Sequence, residues 1–275
     1  MRILVTGANG YLGRGIVNDL LSGGNEIVAV DLKMNGFKKQ NNLVTKECSI
    51  FELDDPFSFF NKPDIVVHLA WRDGFIHNSN NHINELPKHV AFLESLMKSG
   101  VNKVTVMGSM HEVGFYEGSI NEDTPCNPLS LYGIAKNCLR EVVAVLAQKY
   151  HVHYQWLRAY YIVSNSPNGS SIFSKIIQSD LDGKIEFPFT SGTNQYDFLN
   201  YEDFCYMVSK TVVQDKINGI INICSGKPEK LCNRVEDFIK ENNLSIELKY
   251  GAFPDRSYDS KAVWGDSRII ESILK

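Results

Sequence analysis

The chain has 275 residues, 43% of them hydrophobic and 22% charged, with a formal net charge of −4. A chain of this length buries a large core, as one large or two intimate domains. The negative balance argues against a partner bound through phosphate neutralisation, and no apolar run reaches the roughly 18 residues that span a bilayer.

Arg2-Ile3-Leu4-Val5-Thr6 reads as a short apolar strand, and Met1 leads straight into it, which leaves no room for a signal peptide. It runs into Gly7-Ala8-Asn9-Gly10-Tyr11-Leu12-Gly13, and a helical pattern follows. A second strand, Glu26 to Val30, ends on Asp31, 18 residues after Gly13. Strand, glycine turn, helix, strand and acid is the order of a dinucleotide-binding unit. Gly7 allows the tight turn, Gly10 the approach of a pyrophosphate, and Gly13 close packing of helix on sheet. The helix N-terminus, with its unpaired N–H groups and dipole, favours the pyrophosphate's charge. Asp31 is placed to bind the adenosine ribose hydroxyls.

A weak strand is expected at Leu43-Val44-Thr45, then a stronger one at Ile65-Val66-Val67-His68-Leu69. Leu86 to Ser99 reads as a helix stopped by Gly100, and Lys103 to Met107 as the next strand. Leu131 to Tyr150 is a long helix, and His153 to Arg158 a further strand. Runs apolar on both faces imply a parallel sheet with helices on each side, and sites beyond its carboxyl ends. Beyond it, Ser164 to Gly169 reads as a loop, Ser171 to Gln178 as a helix and 184–194 as a turn-rich stretch. Glu202 to Val213 reads as a helix, Ile220 to Ile223 as a strand and Arg234 to Asn242 as a helix. The expected fold is therefore a doubly wound α/β Rossmann sheet over 1–160, rejoined by part of 195–225. A smaller α/β substrate-binding part spans 161–275, and the cleft between the two is the expected ligand site. The six cysteines are dispersed and form no C-x-x-C pair, as expected of reduced thiols in a cytoplasmic protein without a metal.

Tyr132 and Lys136 lie four apart at the start of the long helix, so they share a face. A tyrosine there can exchange a proton with a carbinol oxygen, and a nearby ammonium should lower its pKa from about 10. Tyr206 and Lys210 repeat the spacing but follow no strand end, and read as structural. Gly108-Ser109-Met110-His111-Glu112 leaves the end of a strand. Ser109 can align the substrate oxygen or serve as an ordinary turn serine. His111 and Glu112 can be acid, base or sugar ligands, or plain loop polarity. His68 reads as a satisfied structural histidine, and His77, His82 and His89 show no ligand-like grouping.

These residues together resemble the extended short-chain dehydrogenases/reductases, in particular the nucleotide-sugar epimerase/dehydratase group. The shared marks are Thr6 to Gly13, Asp31, His68-Leu69-Ala70, Tyr132-Gly133-Ile134-Ala135-Lys136 and Leu157-Arg158. Tyr196-Asp197-Phe198 with Asp203, and Asn222-Ile223-Cys224-Ser225-Gly226, extend the likeness over nearly the whole chain. The resemblance implies Tyr132, Lys136 and Ser109 as the catalytic set. It implies cofactor contacts from Gly7, Asn9, Gly10, Tyr11, Leu12, Gly13, Asp31, Leu69, Ala70 and Lys136. Asp31 implies NAD, while Arg14 leaves room for NADP. Arg256-Ser257-Tyr258-Asp259 ahead of Trp264 is similar to an element whose arginine grips a sugar-nucleotide diphosphate, so Arg256 and Asp259 join Met110, His111, Glu112 and Tyr161 as substrate contacts.

Two departures matter. Met110 aligns with the family's usual Ser/Thr, and Tyr161 with an asparagine near the substrate phosphates. Of the dehydratases' Asp-Glu pair only Glu112 survives, so dehydration is not expected. The expected function is NAD(P)-dependent reduction of a 4-keto nucleotide-diphosphate sugar by a homodimer. A C4 epimerase, a uronate or free-sugar dehydrogenase and a non-catalytic NAD(H) sensor are the alternatives. Leu139, Val142, Val143 and Leu146 can face either a dimer partner or the core.

Overall fold

The apolar runs at Arg2–Thr6, Glu26–Asp31, Ile65–His68 and Lys103–Ser109 form buried strands, while the weaker run at Leu43–Glu47 forms a largely exposed edge strand. The computed structural model describes residues 1–167, 169, 171–254 and 260–275. In chain order its elements begin with β1 (Arg2–Thr6), α1 (Tyr11–Ser22), β2 (Glu26–Asp31), β3 (Leu43–Glu47), α2 (Pro56–Phe59) and β4 (Ile65–His68). Then come α3 (Asn81–Ser99), β5 (Lys103–Ser109), a 3₁₀ turn (Met110–Glu112), β6 (Gly118–Ile120), α4 (Leu131–Tyr150), β7 (His153–Ala159) and β8 (Tyr161–Val163). The rest are α5 (Ile172–Leu181), β9 (Glu186–Pro188), β10 (Gln195–Asn200), α6 (Tyr201–Val213), β11 (Gly219–Ile223), β12 (Pro228–Lys230), α7 (Leu231–Glu241), β13 (Glu247–Lys249), β14 (Ala262–Gly265) and α8 (Arg268–Leu274).

The main sheet has the order β11-β7-β5-β4-β1-β2-β3 and is parallel throughout. From β1 the chain moves out to β2 and β3, then returns to the other side through β4. The switch of direction between β1 and β4 opens a crevice at their carboxyl ends, where such sheets bind ligands. One apolar layer, containing Ile16, Val17, Leu20, Phe204 and Val208, lies under α1 and α6. The other, containing Phe92, Leu96, Leu139, Val143 and Trp156, lies under α3 and α4. Leu139 and Val143 are fully buried and Leu146 nearly so, which makes them core and removes them as dimer contacts.

A second sheet has the order β12-β10-β14-β6, with β8 joined to β10. Its strands run three to six residues, and pairs such as Val263↔Gly118 join segments remote from one another in the sequence. Most of these strands escape a reading of local periodicity, as does β9 inside the turn-rich 184–194, which pairs with β13 in a separate two-stranded sheet. Helix α3 also begins earlier than its apolar pattern, at Asn81 rather than Leu86, and carries Pro87 within it. Its polar first turn is held by the preceding loop: the Ser79 hydroxyl accepts from Asn81 N at 3.3 Å, and Asn81 Nδ2 donates to Asp73 at 2.8 Å. Among the described residues no helix is long and apolar enough to cross a membrane.

Candidate active site

The glycine turn closes against the loop after β4. Gly7 has φ +68°, and a Cβ there would lie 2.7 Å from Ala70 N. A Cβ on Gly13 would collide with the Gly7 carbonyl oxygen, so the turn and helix meet without side chains. Gly10 precedes α1 in extended conformation, with no side chain capping the helix. The first N–H groups of α1 therefore face the crevice without an intrahelical acceptor. Asp31 reaches back to this turn, its Oδ2 accepting from Asn9 N at 3.0 Å. The Leu12 side chain packs on the core, and the Tyr201 hydroxyl pins Tyr11 by donating to its carbonyl at 2.6 Å. Arg14 Nη2 donates to Asn9 Oδ1 at 2.6 Å and to Asn35 Oδ1 at 2.8 Å. Its guanidinium thus braces the turn instead of awaiting an additional phosphate.

Tyr132 and Lys136 project from the first turns of α4 toward the end of β5. Lys136 Nζ donates to the Met107 carbonyl at 2.8 Å and lies 3.8 Å from the Trp71 ring centroid. It is 5.9 Å from the Tyr132 ring centroid. The expected acidification of the phenol does not occur in this arrangement. Burial pushes Tyr132 up to about 12, Glu112 adds to the rise, and only the Ser109 hydroxyl favours ionisation. Burial likewise draws Lys136 down to about 7, with Glu112 opposing. The cost of charge here outweighs the effect of an ammonium that donates to the Met107 carbonyl. The phenol is consequently held protonated at neutral pH.

Ser109 ends β5 and opens the 3₁₀ turn, its Oγ accepting from His111 N at 3.3 Å. Glu112 closes the same capping box from beneath, with Oε1 accepting from Ser109 N at 3.2 Å. That oxygen also accepts from Trp156 Nε1 at 2.9 Å and pairs with Arg158 Nε at 3.3 Å. Glu112 is fully buried, as is Arg158. The carboxylate expected to touch substrate is instead a structural anchor turned into the protein. Met110, also expected to touch substrate, is buried with Val113, Ile120, Tyr160 and Tyr196. Tyr161 stands on the edge of this group, 4.5 Å from the Tyr196 ring and 5.7 Å from Phe198. Arg256 and Asp259 lie outside the described residues. Tyr206 and Lys210 make a surface cation–π pair at 5.2 Å, away from this site.

A histidine cluster surrounds the phenol that sequence reasoning passed over. His77 lies flat on Tyr132, with centroids 5.3 Å apart and planes 12° apart. His111 sits 4.4 Å from His77 and 6.1 Å from Tyr132, and His82 meets the phenol edge at 5.3 Å. Burial, aided by His77, draws His111 down to about 4. Trp71 Nε1 donates to His82 Nδ1 at 3.0 Å, so the His82 proton belongs on Nε2, which donates to the Ile76 carbonyl at 3.0 Å. Beneath them, His68 joins Thr6 Oγ1 at 2.9 Å to His89 at 2.8 Å. The one available signal was density: four histidines between positions 68 and 89, in a chain holding seven.

His68 and His89 are buried as neutral rings, and burial is the main cause of both depressed pKa values. His89 falls from 6.5 to about 3. The unfolded chain therefore binds more protons than the folded one as pH drops below about 6.5, and stability falls with pH. The melting temperature should decline between about pH 7 and pH 5. An unchanged Tm across that window would contradict neutral burial of this pair.

Residues 3–224 match the NAD dependent epimerase/dehydratase family. The chain belongs to that family. A relative named dTDP-6-deoxy-L-talose 4-dehydrogenase (NAD(+)), from Aggregatibacter actinomycetemcomitans, is 39% identical over 269 residues, covering 96% of this chain and 99% of that protein. GDP-6-deoxy-D-talose 4-dehydrogenase from the same organism is 23% identical over 284 residues, covering 100% and 91%. The fold is shared with UDP-N-acetylglucosamine 4-epimerase of Methanobrevibacter ruminantium M1, solved with UDP-N-acetylmuramic acid. That likeness has a TM-score of 0.85 at 21% identity, covering 100% of this chain and 92% of the other.

As a member of the epimerase/dehydratase family, the protein is an NAD-dependent enzyme of the nucleotide-sugar oxidoreductase and epimerase kind. The side-chain-free cradle of Gly7, Gly10 and Gly13, with Asp31 beside it, fits that cofactor. NAD, when bound, exchanges hydride with the substrate carbon.

Proposed function

We propose that the enzyme reduces the 4-keto group of a nucleotide-diphosphate 6-deoxyhexose. The observation that carries this reading is the placement of the Tyr132 phenol beside Ser109 and under the His77 ring, where desolvation favours its neutral form. Reduction of a ketone needs a proton for the new hydroxyl, and a phenol held neutral is ready to donate one. Ser109 orients the carbonyl oxygen toward Tyr132. Lys136 steadies the cofactor's ribose once it leaves the Met107 carbonyl. His111 and Tyr161 border the sugar, with Met110 packed behind them. Arg256, with Asp259 nearby in sequence, takes the diphosphate as a bidentate fork.

The relatives support the carbon and a nucleoside-diphosphate sugar, with names that differ in the base. The two talose enzymes are named for oxidation at C4, the reverse of this reduction. Commitment of Glu112 to Trp156 and Arg158 supports the loss of dehydratase chemistry, since that acid has no access to substrate. A homodimer fits the exposed stripe of Ile134, Cys138 and Val145 on α4, one helical face left bare. A reducing, cytoplasmic setting fits six cysteines that are all free.

The test is incubation with excess NADH and a dTDP-4-keto-6-deoxyhexose. Steady coenzyme consumption with a 4-hydroxy product is expected. Exchange of C4 isomers without net coenzyme use would replace the reading by epimerisation. Turnover of free sugars without any nucleoside diphosphate would overturn the substrate class.

A further inference from the structure

We propose that His77 is a positioning residue for Tyr132, its imidazole lying flat on the phenol, braced by His111, and excluding water from the proton-donating side chain. The inference rests on the reading of Tyr132 as proton donor.

The loop that carries His77, residues 71–80, is tied down at several points. Asp73 Oδ2 accepts from the Ser79 hydroxyl at 2.7 Å and from Asn81 Nδ2 at 2.8 Å. The Ile76 carbonyl accepts a hydrogen bond from His82 Nε2 at 3.0 Å. The loop also docks on the start of α4. The His77 carbonyl accepts from Tyr132 N at 2.8 Å, and Asn78 Oδ1 accepts from Leu131 N at 3.2 Å. Those first N–H groups of the helix have no acceptor within it, so the loop supplies one from outside. Backbone docking therefore fixes where the His77 ring can lie. From the other side, Gly133 lets the 3₁₀ turn approach, since a Cβ there would collide with the His111 carbonyl oxygen. That close approach brings the His111 ring to 4.4 Å from His77.

The groups around Tyr132 come from every neighbouring element. His77 and Trp71 come from the loop, and His82 from α3. Ser109, His111 and Glu112 come from the end of β5 and its turn, and Lys136 from α4 itself. Burial is the largest influence on the phenol, and the stacked His77 ring supplies the part of it on one face. Removing the imidazole admits water on that face. The phenolate becomes easier to form, and the phenol is less well held for transfer.

The experiment compares His77→Ala, His77→Phe and His77→Leu, each keeping the backbone carbonyl that holds Tyr132 N. Tyrosinate absorbance, taken against a Tyr132→Phe background, reads the phenol without requiring turnover. In H77A the phenol should ionise at least about one pH unit lower than in the unsubstituted enzyme, toward the ordinary value of about 10. Its kcat for reduction should fall about tenfold, with KM for the nucleotide sugar within about twofold. H77F restores a flat ring and should recover both properties; H77L fills the space without stacking and should recover the titration but not kcat. The proposal is overturned if H77A titrates and turns over unchanged, or if H77L recovers kcat as fully as H77F. Should H77A fail to fold, the comparison of H77F with H77L decides. If no variant nor the unsubstituted enzyme reduces a 4-keto nucleotide sugar, the proposed function fails, and the tyrosinate titration still decides the role of His77.

Discussion

Tyr132→Phe is expected to lower kcat for reduction by about 10³, within the range for losing a general acid. The phenyl ring keeps its stack on His77 and its edge contacts with His82 and His111, because these depend on the ring. The backbone bond from residue 132 to the His77 carbonyl also stays. Only the hydroxyl beside Ser109 is removed, and with it the proton for the new alcohol. NAD binding, read by titration, should change little, since the glycine turn and Asp31 are untouched. Reduction surviving at more than a tenth of the original kcat would show that the proton comes from elsewhere.

The second large effect concerns stability. Glu112→Ala should cost about 3–5 kcal/mol, because it strands a buried guanidinium. Arg158 would keep its bond to the Asn121 carbonyl at 3.0 Å and lose its counter-charge. Trp156 Nε1 and Ser109 N would lose their shared acceptor as well. For a chain of this size the melting temperature should drop on the order of 10 °C. Glu112→Gln retains an acceptor oxygen but not the charge, so its loss should be smaller. The same substitution loosens the capping box that sets Ser109, and kcat should fall together with Tm. A thermal melt of E112A matching the unsubstituted protein would show that Arg158 finds another partner.

Both effects follow from residues whose type was visible in the sequence and whose environment was not. The spacing of Tyr132 and Lys136 predicted that both would share a helix face, and they do. The same spacing predicted an acidified phenol. That failed because Lys136 turns to the Met107 carbonyl and the Trp71 face, while burial raises the phenol. Glu112 looked like a ligand because it follows a strand end. Its direction was decided by Trp156 and Arg158, 44 and 46 residues further along.

What the sequence determined by itself was whatever depends on neighbours along the chain. Gly7, Gly10 and Gly13, the strand ending on Asp31 and the alternation of apolar strands with helices all arise within about thirty residues. Tertiary structure decided the rest. The second sheet is built from strands too short to carry a periodic signal, paired across distances such as Gly118 to Val263. The histidines around Tyr132 come from the 71–80 loop, from α3 and from the turn after β5, and no local pattern brings them together. Burial sums over all the atoms that surround a group, most of them remote in sequence, which is why position was readable from the chain and protonation was not.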